Sequence, residues 1–213
     1  MPRERAKKIV SAIYSAAAER IYEPVVVNGA FRLFGGNLNE LALEQGRRAV
    51  AVAGGGAILD MPVGTAHFTI PLAHAHDGLV VGVDIAEGMV RAARAAARRA
   101  GAEQLSVVQA DAHHLPFGDG TFAAVMCTNG LQVIPGLDRA LGELARVIRP
   151  GGMLFVSVLT LPLGSALPRG TRSNLPAMLR SGSGIAAAVA ATGLEVTEVR
   201  SERLATLIEA KRT

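Results

Sequence analysis

The feature that most constrains this sequence is an alternation between short apolar runs and longer alanine- and leucine-rich stretches of helical period. Glycine and aspartate bound the apolar runs, which is typical of strands in a parallel sheet that helices cover on both faces. Seven strands are predicted, at 57–61, 79–83, 105–109, 122–127, 153–159, 194–200 and 204–210. Helices are predicted in the first fifty or so residues and near 65–75, 86–100 and 137–148.

The connection between the last two predicted strands sets the direction of the final strand. Only residues 201–203 join them, which is too few for the crossover that parallel neighbours require. The last strand must therefore return antiparallel. The predicted fold class is α/β, a doubly wound seven-stranded sheet that is mostly parallel and has an antiparallel last strand.

Length and composition narrow the class of protein. A chain of 213 residues fits one domain. Its mean hydropathy is +0.32, but no apolar run reaches the roughly 18 residues of a membrane span, and the basic N-terminus lacks the pattern of an export signal. The single cysteine, Cys127, fits a reducing compartment. We therefore expect a cytoplasmic monomer or homodimer without a membrane partner.

The positive charge is dispersed along the chain. The net charge is +4, and the densest basic cluster lies at helical spacing on one face, at Arg91, Arg94, Arg98 and Arg99. No aromatic residues are interleaved with these arginines for base stacking, so a solvated helix face is predicted there and not a nucleic-acid site.

Acidic residues stand at the ends of the first three predicted strands. Asp60 lies in the tail of the first strand, Asp84 follows the second and Asp111 follows the third. In an open α/β sheet, ligands bind outside the carboxyl ends of the strands. We therefore expect these three carboxylates to line one crevice.

The turn after the first strand argues against a dinucleotide. A dinucleotide site has a glycine-rich G-x-G-x-x-G turn, whereas this chain reads Asp60-Met61-Pro62-Val63-Gly64-Thr65-Ala66. An acid directly before the turn would repel a pyrophosphate but would suit a ligand with cationic groups. Such a ligand is S-adenosylmethionine, whose carboxylate could lie at a helix N-terminus near Thr65.

Several segments, taken in order, resemble class I S-adenosylmethionine-dependent methyltransferases, and in particular small-molecule enzymes of the methyltransferase-11 type. The resemblance covers about residues 57–160. It is carried by LDMPVGTAHFT, by VVGVDIAEGMVRAARA and by the region from VVQADAHHLPF to RVIRPGGMLFVSVL. It implies a Rossmann-like methyltransferase fold and S-adenosylmethionine as cofactor, with S-adenosylhomocysteine as product. It also implies a helical cap at 1–53, a cofactor-binding core at 57–160, a variable substrate or lid segment at 161–184 and a closing helix and strand pair at 185–213.

The resemblance also implies roles for individual residues. Asp60 and Gly64 would frame the methionine end of the cofactor, Asp84 would accept from the ribose hydroxyls, and Asp111 with Ala112 would hold the adenine. The backbone at Cys127 and Thr128 would face the sulfonium. The cofactor-binding set predicted in full is Asp60, Pro62, Gly64, Thr65, Ala66, Asp84, Ile85, Met89, Asp111, Ala112, Cys127 and Thr128. No catalytic residue and no metal site is assigned.

Three positions depart from the family pattern. Pro62 and Ala66 replace two of the three usual glycines, and Ala123 replaces the Asp often found in the fourth strand. These changes predict a reshaped cofactor site. They also leave two alternatives open, namely a methyltransferase-like binding protein without turnover and an NAD-dependent oxidoreductase.

The remaining candidates concern the acceptor. Asn129 and Gln132 follow the fourth strand, where the family's acceptor pocket opens, and Tyr14 and Tyr22 fall in the N-terminal segment that often covers it. The segment between the fifth and sixth strands is short and rich in Pro, Gly and Ser, which predicts a small and apolar acceptor. His74 and His76 are predicted to form a polar helix end and not a metal site, and His113 and His114 are predicted to be loop residues beside the adenine.

Overall fold

The computed structural model describes residues 38–131, 134–159, 181–202 and 205–213. The seven strands in these ranges are β1 (Ile58–Asp60), β2 (Val80–Asp84), β3 (Leu105–Gln109), β4 (Phe122–Thr128), β5 (Ile148–Leu159), β6 (Glu195–Glu202) and β7 (Ala205–Lys211). The α-helices in these ranges are α1 (Leu38–Ala53), α2 (Thr69–His74), α3 (Glu87–Ala100), α4 (Leu137–Val147) and α5 (Gly182–Ala190).

All seven strands form one sheet, in the order β3-β2-β1-β4-β5-β7-β6. Neighbours from β3 through β5 are parallel, and β7 is antiparallel to both β5 and β6. The predicted doubly wound sheet with a reversed last strand is therefore confirmed. Because the chain moves from β1 outward to β3 and then resumes at β4 on the other side of β1, the strand order reverses between β1 and β4. This is the place where open α/β sheets bind ligands.

The central strands are buried on both faces, which explains their continuous apolar sequences. Every residue of β1, β2 and β4 is buried. One face packs against α1, α2 and α3 through small side chains such as Ala49, Ala73 and Ala93. The other face packs against α4 and α5 through larger ones such as Leu141 and Ile185. Two covered faces leave the strand ends as the route for a ligand to approach the sheet.

Two element boundaries differ from the prediction by more than two residues. The helix expected at 65–75 begins only at Thr69, because Ala66 has a φ of 66°, which a right-handed helix cannot include. The proposed helix N-terminus near Thr65 is therefore wrong, and that residue lies in a turn. The fifth strand begins at Ile148, earlier than predicted, because Ile148 pairs with Phe122 across an irregularity in the register.

Some predictions fall outside the described residues. These are Tyr14, Tyr22, Gln132 and nearly all of the lid segment, whose described part begins at residue 181. Within the ranges that the structure describes, no helix is long and apolar enough to cross a membrane.

Candidate functional site

The three predicted acids lie at the carboxyl ends of three neighbouring strands. Asp60 ends β1, Asp84 ends β2, and Asp111 follows β3. The backbone carbonyl of Asp84 accepts from the N–H of Ala110 at 3.0 Å, which ties the exits of β2 and β3 together. The structure therefore brings the three acids to one edge of the sheet, beside the reversal point between β1 and β4.

Asp60 is an almost fully enclosed carboxyl group, with 3 % of its surface exposed. Its Oδ2 accepts from the hydroxyl of Thr69 at 2.5 Å, whereas its Oδ1 is buried and has no hydrogen-bond partner. Burial raises the pKa of Asp60 to about 7, against the opposing effect of the Thr69 hydrogen bond and with a further contribution from the charge of Asp84. A buried carboxyl with an unused oxygen is suited to a cationic ligand.

Asp84 links β2 to the turn that follows β1. Its Oδ2 accepts from the backbone N–H of Gly64 at 3.0 Å, and its Oδ1 accepts from the N–H of Ala86 at 2.9 Å. Burial raises the pKa of Asp84, and the backbone donors oppose that shift. The carboxylate therefore positions the turn. Each of its oxygens can also accept a second hydrogen bond, as from a diol.

Asp111 is held by the residue two positions further along. Its Oδ1 lies 3.0 Å from the backbone N of His113, which donates to it, and 2.8 Å from the ring Nδ1. The other ring nitrogen, Nε2, lies 3.3 Å from the carbonyl oxygen of Gly136, directly before α4. His113 and Ala112 are both buried. The imidazole therefore fixes the Asp111 loop against the start of α4.

The turn after β1 keeps the backbone shape of a glycine turn although two of its glycines are replaced. Gly64 and Ala66 both have left-handed φ angles, 54° and 66°. Thr65 lies buried between them. Pro62 packs directly on Gly130, where an added Cβ would come within 1.9 Å of the proline Cδ. The turn after β1 and the loop after β4 are therefore in contact.

The remaining predicted residues surround this edge. Ile85 follows Asp84 and accepts from the side chain of Gln109 through its carbonyl at 3.1 Å, and Met89 is buried in α3. Cys127 and Thr128 are buried at the end of β4. Burial raises the pKa of the Cys127 thiol, so this sulfur stays protonated at neutral pH and is unsuited to act as a nucleophile.

The sequence did not assign a role to two residues that shape the site. Thr69 donates to Asp60, and its signal was a lone hydroxyl in the apolar run that forms α2. Gly130 provides the surface on which Pro62 packs, and its signal was the Asn-Gly pair after the fourth strand, a common mark of a special turn. His76 lies near the amino end of β1 and not at the carboxyl ends of the strands, with Nε2 2.9 Å from the carbonyl oxygen of Gly56.

Comparison with known proteins finds similarity to methyltransferases. Residues 58–152 match a family model described as a methyltransferase domain. Over 123 residues the chain is 38 % identical to a demethylmenaquinone methyltransferase of Clavibacter sepedonicus, a match that covers 58 % of this chain and 49 % of that protein. Residues 58–152, just under half of the chain, therefore resemble the class I S-adenosylmethionine-dependent methyltransferases.

A second relative shows the same similarity. A demethylmenaquinone methyltransferase of Thermobifida fusca is 37 % identical over 138 residues, which is 62 % of this chain and 57 % of that protein. The chain thus spans about half the length of the curated relatives it matches.

Solved structures show the same fold at lower identity. An S-adenosylmethionine-dependent methyltransferase from Aquifex aeolicus superposes with a TM-score of 0.67 at 19 % identity, covering 84 % of this chain and 94 % of that one. The [4+2]-cyclase SpnF superposes with a TM-score of 0.72 at 18 % identity, covering 81 % of each chain.

Proposed function

We propose that this chain transfers a methyl group from S-adenosylmethionine to a small acceptor molecule. The observation that carries the proposal is the buried Asp60 carboxyl, whose Oδ1 has no partner at the point where the strand order reverses. An isolated buried polar atom of this kind is rare in native proteins and calls for a ligand or a water molecule. The ammonium and sulfonium groups of S-adenosylmethionine fit an acid in this position.

The other predicted residues would bind the rest of the cofactor. Asp84 would accept from the ribose hydroxyls through the second lone pairs of its oxygens, and Asp111 would accept from the adenine amine beside Ala112. Gly64, Thr65 and Ala66 would lie along the methionine portion, and Cys127 and Thr128 along the sulfonium. Ile85 and Met89 would flank the adenosine. Pro62 would close the turn after β1.

The bound cofactor would supply an electrophilic methyl group, and the chain's own task would be to align it with the acceptor and to exclude water. Such a site needs no protein nucleophile, which agrees with the protonated, buried thiol of Cys127. The buried Asp60 carboxyl would balance positive charge on the cofactor.

For the acceptor we propose a small apolar ring of the quinone type. The support is the identity of 36 to 38 % to proteins named as demethylmenaquinone and ubiquinone/menaquinone methyltransferases. A quinone ring is small and largely apolar, as predicted from the short segment after the fifth strand. We further propose the division of the chain into a cap, a cofactor core, a substrate segment and a closing strand pair, and a cytoplasmic protein with no nucleic-acid partner.

One observation favours a second candidate, a protein of this fold that binds the cofactor without methyl transfer. The turn after β1 carries Pro62 and Ala66 in place of glycines, and the same fold occurs in a protein named as a [4+2]-cyclase. A measurement of methyl transfer distinguishes the two candidate functions.

Calorimetry and a transfer assay test the proposal together. We expect S-adenosylmethionine and S-adenosylhomocysteine to bind in the micromolar range, NAD not to bind, and a radiolabelled methyl group to pass to a reduced naphthoquinone. Cofactor binding without transfer to any acceptor would favour the second candidate. Preferential binding of NAD would refute both.

A further inference from the structure

Asn129 carries a buried amide without hydrogen-bond partners. It follows Thr128 at the end of β4, and both Nδ2 and Oδ1 of its side chain are enclosed and unpaired within the described structure. Leaving such a group unpaired in the protein interior is unfavourable for folding. Neither the packing nor the strand pairing of β4 makes use of this amide.

The backbone holds this amide in a fixed position. The N–H of Asn129 donates to the carbonyl of Ser157 on β5 at 2.8 Å. Its φ is 52°, a left-handed conformation that Asn adopts more readily than most residues. The next residue, Gly130, is in contact with Pro62. Asn129 is therefore fixed on one side by β5 and on the other by the turn after β1.

Unpaired buried atoms recur across the strands at this point. Asp60 on β1 and Ser157 on β5 also carry a buried side-chain oxygen without a partner, and β1, β4 and β5 are adjacent in the sheet. Asp60 and Asn129 stand at the exits of the two strands between which the strand order reverses. Polar groups that are held rigid and left unsatisfied at a ligand-binding edge are arranged as a preorganised site.

We infer that Asn129 is a specificity-determining residue that binds an oxygen of the methyl acceptor, a conclusion that rests on the proposed function. An amide offers one donor group and one acceptor atom side by side. It is therefore matched to a hydroxyl group, which both donates and accepts. The acceptor class is then a small ring bearing a hydroxyl group close to the reacting atom.

The assignment to the acceptor follows from the position of the other polar groups. The acids at the ends of β1, β2 and β3 lie on one side of the reversal point and suit the cationic, diol and amine groups of the cofactor. Asn129 lies on the β4 side and is uncharged, so it adds no further charge partner for a sulfonium or ammonium. Since the acids on the other side of the reversal point suit the cofactor, Asn129 on the β4 side is left for the acceptor.

The test uses Asn129→Gly, which removes the amide and suits the left-handed backbone. Binding is measured to the protein saturated with S-adenosylhomocysteine, under anaerobic conditions, with two probes: 1,4-dihydroxynaphthalene and 1,4-dimethoxynaphthalene, which cannot donate a hydrogen bond. We expect the wild type to prefer the dihydroxy compound. The substitution should weaken its binding about 10-fold, the scale of one lost hydrogen bond. Binding of the dimethoxy compound should change less than twofold.

Two further readouts separate acceptor recognition from a structural role. The affinity for S-adenosylhomocysteine should stay within about twofold, and the melting temperature should not fall, because Asn129→Gly removes an unsatisfied buried amide. Asn129→Asp, which keeps the shape but loses the N–H donor, should also reduce the preference for the dihydroxy probe. The inference is overturned if the wild type does not distinguish the two naphthalenes, or if Asn129→Gly weakens both probes and the cofactor equally. A wild type that fails to bind S-adenosylhomocysteine would refute the proposed function instead.

Discussion

The ring of Pro62 packs on the backbone of Gly130, so closely that a Cβ at position 130 would lie 1.9 Å from the proline Cδ. This contact joins the turn after β1 to the loop after β4, the two segments that border the proposed cofactor site. Gly130 has no left-handed φ, so the contact alone requires glycine at this position.

The first prediction concerns this contact. Gly130→Ala should destabilise the protein by about 1–3 kcal/mol, the usual cost of overpacking, because the new methyl displaces Pro62. Adding Pro62→Gly should recover much of that loss, since it removes the atom that clashes. Chemical denaturation of both single variants and the double variant measures the coupling.

Gly142→Ala is the matched control for this series. A Cβ at Gly142 would meet no atom within 4 Å, and the residue lies inside α4. This substitution should stabilise the protein by about 0.5–1 kcal/mol. Additive effects of Pro62→Gly and Gly130→Ala would show that the two residues are not in contact.

The second prediction concerns Ala66 in the turn after β1. Its left-handed φ costs a non-glycine residue about 1–2 kcal/mol, which offsets the roughly 0.8 kcal/mol that its buried methyl contributes. Ala66→Gly should therefore leave the free energy of unfolding within about 0.5 kcal/mol of the wild type. Ala93→Gly, at an equally buried alanine inside α3, should cost about 2 kcal/mol. Equal losses in the two variants would contradict the left-handed geometry at Ala66.

The third prediction concerns the pH dependence of stability. Burial raises the pKa of Asp60 from its ordinary value of 3.8 to about 7 in the folded protein, so the folded state binds the proton more tightly than the unfolded state. The charged carboxylate therefore lowers the free energy of unfolding. This effect is absent below pH 3.8, grows as the pH rises and is complete above pH 7. Asp60→Asn removes the charge. Between pH 5 and pH 8, the stability of this variant relative to the wild type should increase by on the order of 2–3 kcal/mol.

Thr69→Val should change the stability in the opposite direction to Asp60→Asn. It removes the hydroxyl that donates to Asp60 and should lower stability more at pH 8 than at pH 5, because the charged form loses its hydrogen bond. Denaturation curves across this pH range measure both variants. A stability difference between Asp60→Asn and the wild type that does not vary with pH would contradict the raised pKa.

Strand positions were predictable because the buried strands carry uninterrupted apolar sequences. The runs that became β2 and β4 are buried along their whole length, and the short link between the last two strands dictated the reversal of β7. The start of α2 was not predictable, because it depends on the left-handed backbone at Ala66, an alanine that by its own propensity favours a helix.

The acids of the site were predictable from the sequence, but the residues that hydrogen-bond to them were not. Asp60, Asp84 and Asp111 were found from their spacing at strand ends. The partners that fix them, Thr69 and His113, depend on how the chain folds back after each strand. No pattern in one sequence reports the packing of Pro62 on Gly130, since it joins loops 68 residues apart that only the sheet order brings together.

The central claim is that the acids at the ends of β1, β2 and β3 surround one adenosyl ligand. Calorimetric titration of S-adenosylhomocysteine into the wild type and into Asp84→Ala tests this claim most directly. Micromolar binding to the wild type is predicted, with a loss of about 1–3 kcal/mol in the variant, the scale of hydrogen bonds to a charged group. Asp84→Asn, which keeps an acceptor for the N–H of Gly64, should lose less. An unchanged dissociation constant in Asp84→Ala, with the fold intact by circular dichroism, would contradict the claim.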